Sequence, residues 1–143
     1  MKKELIERLG LFLRKHDMIG TPATEEQILY AEQELGVKFS PDYIDFIRNF
    51  GKAYAGMMIN AVAGAENVID DTKSLREVHP EVTDTYVISD DGSGNPIMIN
   101  AKGELVVYYH DSDAETEIIA SSLEQYIDCL LYTSPSPRDR QKS

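Results

Sequence analysis

The sequence is poor in cysteine, histidine and positive charge. A single cysteine, Cys129, excludes an internal disulfide framework and any cysteine-based zinc site. No stretch is long or apolar enough to span a membrane. The opening MKKELIERLGLFLRKH starts basic, but Glu4, Glu7, Arg8 and Arg14 interrupt any signal-peptide core, so a cytoplasmic location is expected. Lysine and arginine number 14 against 25 aspartates and glutamates, a formal net charge of −11. Such a chain is repelled by DNA, RNA and anionic lipid, and any partner selected by charge is basic. Acidity alone also serves solubility, and composition does not separate the two roles.

What is present reads as one domain of 143 residues, with 42% hydrophobic and 27% charged side chains, ordinary for a globular fold. Leu5, Leu9 and Phe12 fall at helical spacing in the first segment. Thr24 followed by Gln27 has the form of a capping box, Ile28, Ala31 and Leu35 share one face, and Gly36 supplies a left-handed stop. Ser40 then stands as a cap before Pro41 and Asp42, with Tyr43, Phe46, Ile47 and Phe50 as one stripe ended by Gly51. MMINAVAG reads as a strand, and DDTKSLREVHP as a short helix broken by Pro80. TYVIS, PIMIN and ELVVYYHD follow as three β-rich runs, joined by DDGSGN and AKG. EIIA reads as a last strand. SSLEQYID closes as a helix, with Ser121 and Glu124 as a second capping box and Leu123, Tyr126 and Ile127 facing inward. The expected fold is α+β: N-terminal helices, a central antiparallel sheet, and a C-terminal helix packed on that sheet.

The last segment, CLLYTSPSPRDRQKS, differs in character from the rest. It resembles translated sequencing-adapter read-through, so residues 129–143 are expected to be a foreign, disordered tail and residues 1–128 the domain. Of the 14 basic and 25 acidic residues, the tail holds three (Arg138, Arg140, Lys142) and one (Asp139). That leaves 11 and 24, a net charge of −13.

Two segments invite a chemical reading. SDDGSGNPIMI, from Ser89, could hold a metal or a phosphate. Counted from Asp90, the third and fifth positions of a calcium loop are Gly92 and Gly94, which carry no ligand. A phosphate loop would open a helix, whereas this one opens a strand behind two aspartates. A hairpin connection remains, with glycines at positive φ and aspartates making local turns. HDSDAETE offers His110, Asp111 and Asp113 for a divalent ion, but His16 and His79 lie in other segments, and a solvated acidic loop is the simpler reading. No nucleophile-elbow motif is present. No metal, cofactor or catalytic residue is therefore expected. Tyr108 and Tyr109 alternate faces on a strand, so one is expected in the core and one exposed.

The order of these pieces resembles the SUKH superfamily, the Smi/Knr-type domain. The residues that carry the likeness are Glu32 to Gly36, then Pro41, Asp42, Tyr43 and Phe46, then Asp91, Gly92, Gly94 and Asn95, then Gly103, Val106 and Asp111, and finally Ile119, Ala120 and Ser122. It runs from Thr24 to Asp128, with Ser40 where the family often has leucine, and is loose between Ala53 and Glu81. The resemblance implies a binding domain without catalysis. Bacterial members are commonly immunity proteins that cover the active site of a toxin domain, frequently a nuclease. An acidic chain suits the basic cleft of such a nuclease and would be steered to it. A regulatory or scaffold module of the same fold is the alternative, and a small metal-dependent hydrolase using His110 a third reading. The expected contacts are Asp70, Asp71, Asp90, Asp91, Tyr109, Asp111, Asp113 and Glu115, on loops and strand edges.

Overall fold

The computed structural model describes residues 1–109 and 115–133. Its chain order is helix α1 (Lys3–Lys15), α2 (Glu25–Leu35), α3 (Pro41–Phe50), strands β1 (Ala53–Tyr54) and β2 (Met58–Ile59), α4 (Val68–Val78), strands β3 (Tyr86–Asp90), β4 (Pro96–Ile99), β5 (Leu105–Tyr109) and β6 (Glu115–Ala120), and α5 (Leu123–Thr133). The fold is α+β, with helices before and after an antiparallel sheet, as the periodicities require.

The helices begin where local chemistry satisfies their free N–H groups. Gln27 N donates to Thr24 Oγ1 at 3.1 Å and Thr24 N donates to Gln27 Oε1 at 3.0 Å, the reciprocal box expected. Gly36 ends α2 at φ 63°. Ser40 stands at the start of α3, but its side chain accepts no N–H of the first turn; its hydroxyl donates to Asp42 instead. Asp42 takes over the capping role, and for two helices. Its Oδ1 accepts Tyr43 N at 2.9 Å, and its Oδ2 accepts Glu124 N at 3.0 Å in the first turn of α5. One carboxylate thus sits at two positive helix ends. The box at α5 is shifted by one residue from expectation: Gln125 N donates to Ser122 Oγ, and Gln125 Oε1 accepts Ser121 N.

In α1 the fully buried stripe is Leu5, Leu9 and Leu13. Phe12 flanks it, packed on the His16 ring at 4.8 Å between centroids. Tyr43, Phe46, Ile47 and Phe50 are all buried, as expected for α3.

MMINAVAG forms only two residues of strand, paired with Ala53–Tyr54. The ladder stops because Asn60 N turns to Ile88 O at 2.8 Å, while Ala61 O accepts Val68 N at the start of α4. That helix opens earlier than DDTKSLREVHP, because Asn67 caps it by accepting Asp70 N at 2.9 Å.

The large sheet is a meander in the order β3-β4-β5-β6. Tyr86, Ile88, Ile97, Ile99, Leu105 and Val107 enter the main core with the helices. The alternate residues Val87, Met98, Val106 and Tyr108 form a second buried cluster on the other face, under Leu75 of α4 and Val82. Burial on both faces makes β3 to β5 almost continuously apolar. Arg76 ties this side together, donating to Leu35 O at 2.7 Å and Thr83 O at 3.0 Å. The β3–β4 connection is a self-bonded turn. Asp91 Oδ1 accepts Ser93 N at 2.8 Å and Asn95 N at 3.1 Å, and Gly92 and Gly94 take φ of 85° and 88°.

Phe39, Tyr43 and Tyr86 stack at the junction of α3 and the sheet, with centroids 4.7 to 5.5 Å apart. Burial pushes the Tyr86 hydroxyl up to about 12 and Tyr43 well above its ordinary value. A raised folded-state value means that stability is intact below the unfolded value of 10.0 and is lost as pH rises toward about 12. Tyr86 hydroxyl also accepts Ser40 N at 2.8 Å. Tyr86→Phe should therefore cost about 1–2 kcal/mol at neutral pH, since Ser40 N loses its partner. It should also flatten the alkaline fall in stability measured by urea unfolding; an unchanged alkaline slope would contradict the assignment.

α5 continues through Cys129, and Leu130 and Leu131 pack half-buried against the core. If the domain is held by residues 1–128, removing Cys129 onward should leave one cooperative urea transition, lowered by about 1–3 kcal/mol for the two leucines. Loss of cooperativity would place the domain boundary further along α5.

Candidate partner-binding cleft

The short β1–β2 hairpin alternates strictly. Ala53, Ala55, Met57 and Ile59 are buried, while Tyr54, Gly56 and Met58 are exposed. Tyr54 and Met58 remain 44% and 43% exposed, and Ile119 of β6 41%. All three line one cleft of about 390 Å³, together with Gly56, Tyr126, Ile97, Glu66, Asp90 and Asp91. Its lining mixes apolar and aromatic side chains with three carboxylates. A second cleft of about 350 Å³ lies alongside, lined by Asp71, Ser74, Leu75, Gly94 and Pro96 among others. The two share Asn60, Glu66, Ser89 and Asp90. Among the described residues, neither is lined by a lysine or arginine.

Asn60 forms the common wall. It is 4% exposed, and three of its four polar groups are committed. Its N–H donates to Ile88 O, its carbonyl accepts the buried Tyr43 hydroxyl, and its Nδ2 donates to Asp71 Oδ2 at 3.1 Å. Its Oδ1 is buried and accepts no hydrogen bond from the described residues. A buried acceptor without a donor costs about 1–3 kcal/mol, so a water, an ion or a ligand group that donates to it is favoured.

The electrostatics agree in sign. Burial first, then the carboxylates of Glu66 and Asp70, push the Asp71 carboxyl above its usual range, against the Asn60 amide and Lys52. Lys52 Nζ is the cation near the rim, 3.8 Å from Glu66 Oε2. Negative charge thus outweighs positive among the described residues that line the clefts.

The expected contact residues separate into groups. Asp90 and Asp91 line the first cleft and Asp71 the second. Asp91 is largely committed to the turn: its Oδ2 also accepts Asn95 Nδ2 at 2.9 Å, and these bonds, the Asn95 side chain first, hold its carboxyl below the ordinary value. Asp70 lines neither cleft; it belongs to the cap of α4, where its Oδ2 accepts Asn67 Nδ2. Tyr109 is half-buried and Tyr108 buried, the division expected of neighbours on a strand. The Tyr109 hydroxyl donates to Glu117 Oε2 at 2.8 Å. Glu115 lies opposite Tyr109 on β6 and is exposed. His110, Asp111 and Asp113 lie outside the described residues. Tyr54, Met58, Asn60, Glu66, Ile119 and Tyr126 were not foreseen as site residues; the alternation through AYAGMMI was the available signal for the first two.

Among the described residues, no group of three or more histidine, cysteine, aspartate and glutamate side chains could hold a metal ion. No described helix is long and apolar enough to cross a membrane.

No curated protein matches the chain. A family model, SUKH_5, described as SMI1-KNR4 cell-wall, matches residues 3–131, which includes the hairpin, both clefts and most of the closing helix. The chain therefore belongs to the SMI1-KNR4 family of the SUKH superfamily.

Proposed function

We propose that this domain is an immunity protein, which binds a cognate toxin domain in the cytoplasm and blocks it by covering its active site. The observation that carries the reading is the cleft itself. Exposed aromatic and apolar side chains line it together with three carboxylates, and no basic side chain lines it among the described residues. Interfaces commonly combine an apolar, aromatic centre with a polar rim. A carboxylate rim selects a cationic partner, and the active site of a nuclease is cationic because it binds phosphates. Family membership supports binding rather than catalysis. The contact surface would comprise Asp71, Asp90 and Asp91 at the clefts, Tyr109 and Glu115 at the sheet edge, Asp70 beside α4, and Asp111 and Asp113 in the β5–β6 connection.

Association with the toxin domain encoded beside this gene should slow as salt rises, while dissociation changes less. Reversing Asp90 or Glu66 to lysine should slow association several-fold, and so should reversing Asp111 with Asp113. Reversing Glu26, an exposed acid on α2, should change it little. Stopped-flow association at low and high salt measures this. A rate indifferent to salt and to the cleft reversals would place the interface elsewhere. Absence of any binding to that toxin would favour a regulatory module of the same fold.

A further inference from the structure

We infer that the cleft between the β1–β2 hairpin and the β3–β4 turn is a receptor for one arginine side chain of the protein partner, stacked on Tyr54 between the carboxylates of Glu66 and Asp90. This rests on the proposed binding function and names the group that the site takes.

Three observations converge on a planar cation. The first is the aromatic floor. Tyr54 and Tyr126 both line the cleft, and burial first, then the neighbouring Tyr54, raise the Tyr126 hydroxyl above its ordinary value. Gly56 lets the hairpin pack closely against Tyr126: it takes φ 76°, and a Cβ there would come within 2.5 Å of the Tyr126 hydroxyl. An aromatic face attracts a guanidinium by stacking and by its quadrupole. The second is the acid pair. Asp90 uses its Oδ1 for Gly92 N, and among the described residues Glu66 pairs with Lys52 at 3.8 Å, so both keep carboxylate oxygens for a forked donor. The third is Asn60. A wall residue 4% exposed carries an acceptor with no donor among the described residues, and a guanidinium has N–H groups to spare for it. Lysine, a compact and strongly hydrated charge, would use the carboxylates but not the aromatic face to the same extent.

The test uses the isolated protein labelled with ¹⁵N and three small probes: N-acetyl-arginine amide, its neutral isostere N-acetyl-citrulline amide, and N-acetyl-lysine amide. The arginine probe should give saturable shifts confined to residues 53–60 and 88–97 and to the Asn60 side-chain amide. Citrulline should give none of comparable size, and lysine weaker ones. Tyr54→Ala should weaken arginine binding by about two- to fivefold, the span of an exposed cation–π contact. Asp90→Asn, which keeps an oxygen for Gly92 N, and Glu66→Gln should each weaken it further as salt is lowered and leave the remaining spectrum unchanged. Equal shifts from citrulline or lysine, or shifts spread over the acidic surface and indifferent to Tyr54→Ala, would overturn the assignment. The two proposals fail separately. A toxin that binds in a salt-dependent way but ignores Tyr54→Ala rejects the arginine receptor alone. Arginine shifts that persist without any toxin binding reject the immunity function alone.

Discussion

Asn60 is the point on which the remaining architecture depends. Its backbone and its amide nitrogen are held by three elements that the chain meets at different times: Tyr43 of α3, Ile88 of β3 and Asp71 of α4. Each bond is modest in net terms, but each is buried or half-buried, and breaking one leaves a polar group in the interior. The bond to Ile88 O falls where the β3–β4 register shifts between Val87 and Ser89. That bulge lets the β1–β2 hairpin dock on the edge of the large sheet. The bond from Tyr43 then anchors the hairpin to the helical core. The walls of both clefts are consequences of this one docking.

The same docking explains why an acidic surface and an apolar floor coincide. The hairpin is too short to form a layer of its own, so its inward side chains join the core and its outward ones stay in solvent. Tyr54 and Met58 project beside the turn that carries Asp90. α4 brings Asp71 and its neighbours close behind, and burial, then the Glu66 and Asp70 carboxylates, raise the Asp71 carboxyl by more than the Asn60 amide and Lys52 lower it. A cationic partner would relieve that repulsion, so the unfavourable electrostatics of the free protein become part of the affinity. Asp91 stands apart from this group. Its hydrogen bonds inside the turn make it a bracing residue first, and its presence at the rim a by-product of the hairpin geometry.

Features written in consecutive residues were legible. The Thr24–Gln27 box, the Pro41 start, the α3 stripe and the meander of three apolar runs all follow from spacing that no distant contact overrides. The turn at Asp91 to Asn95 was legible as well, since glycines and aspartates there act within the loop. What was not legible came from partners far away in sequence. Ser40 loses its capping role because Asp42 serves α5 as well, across 82 residues. MMINAVAG stops being a strand at Asn60 because Ile88 captures its N–H. Asp70 belongs to a helix cap because Asn67, outside the segment read as helical, begins α4. The cleft joins the hairpin, β6, α5 and the β3–β4 turn, and no local pattern brings Tyr54, Ile119 and Tyr126 together.

The most direct measurement is hydrogen–deuterium exchange of this protein, free and bound to the toxin domain encoded beside it. The account predicts new protection at residues 53–60 and 88–97 and at the start of β6, with α1 and α2 unchanged. Protection confined to α1 and α2, with the hairpin and the β3–β4 turn exchanging as in the free protein, would contradict it.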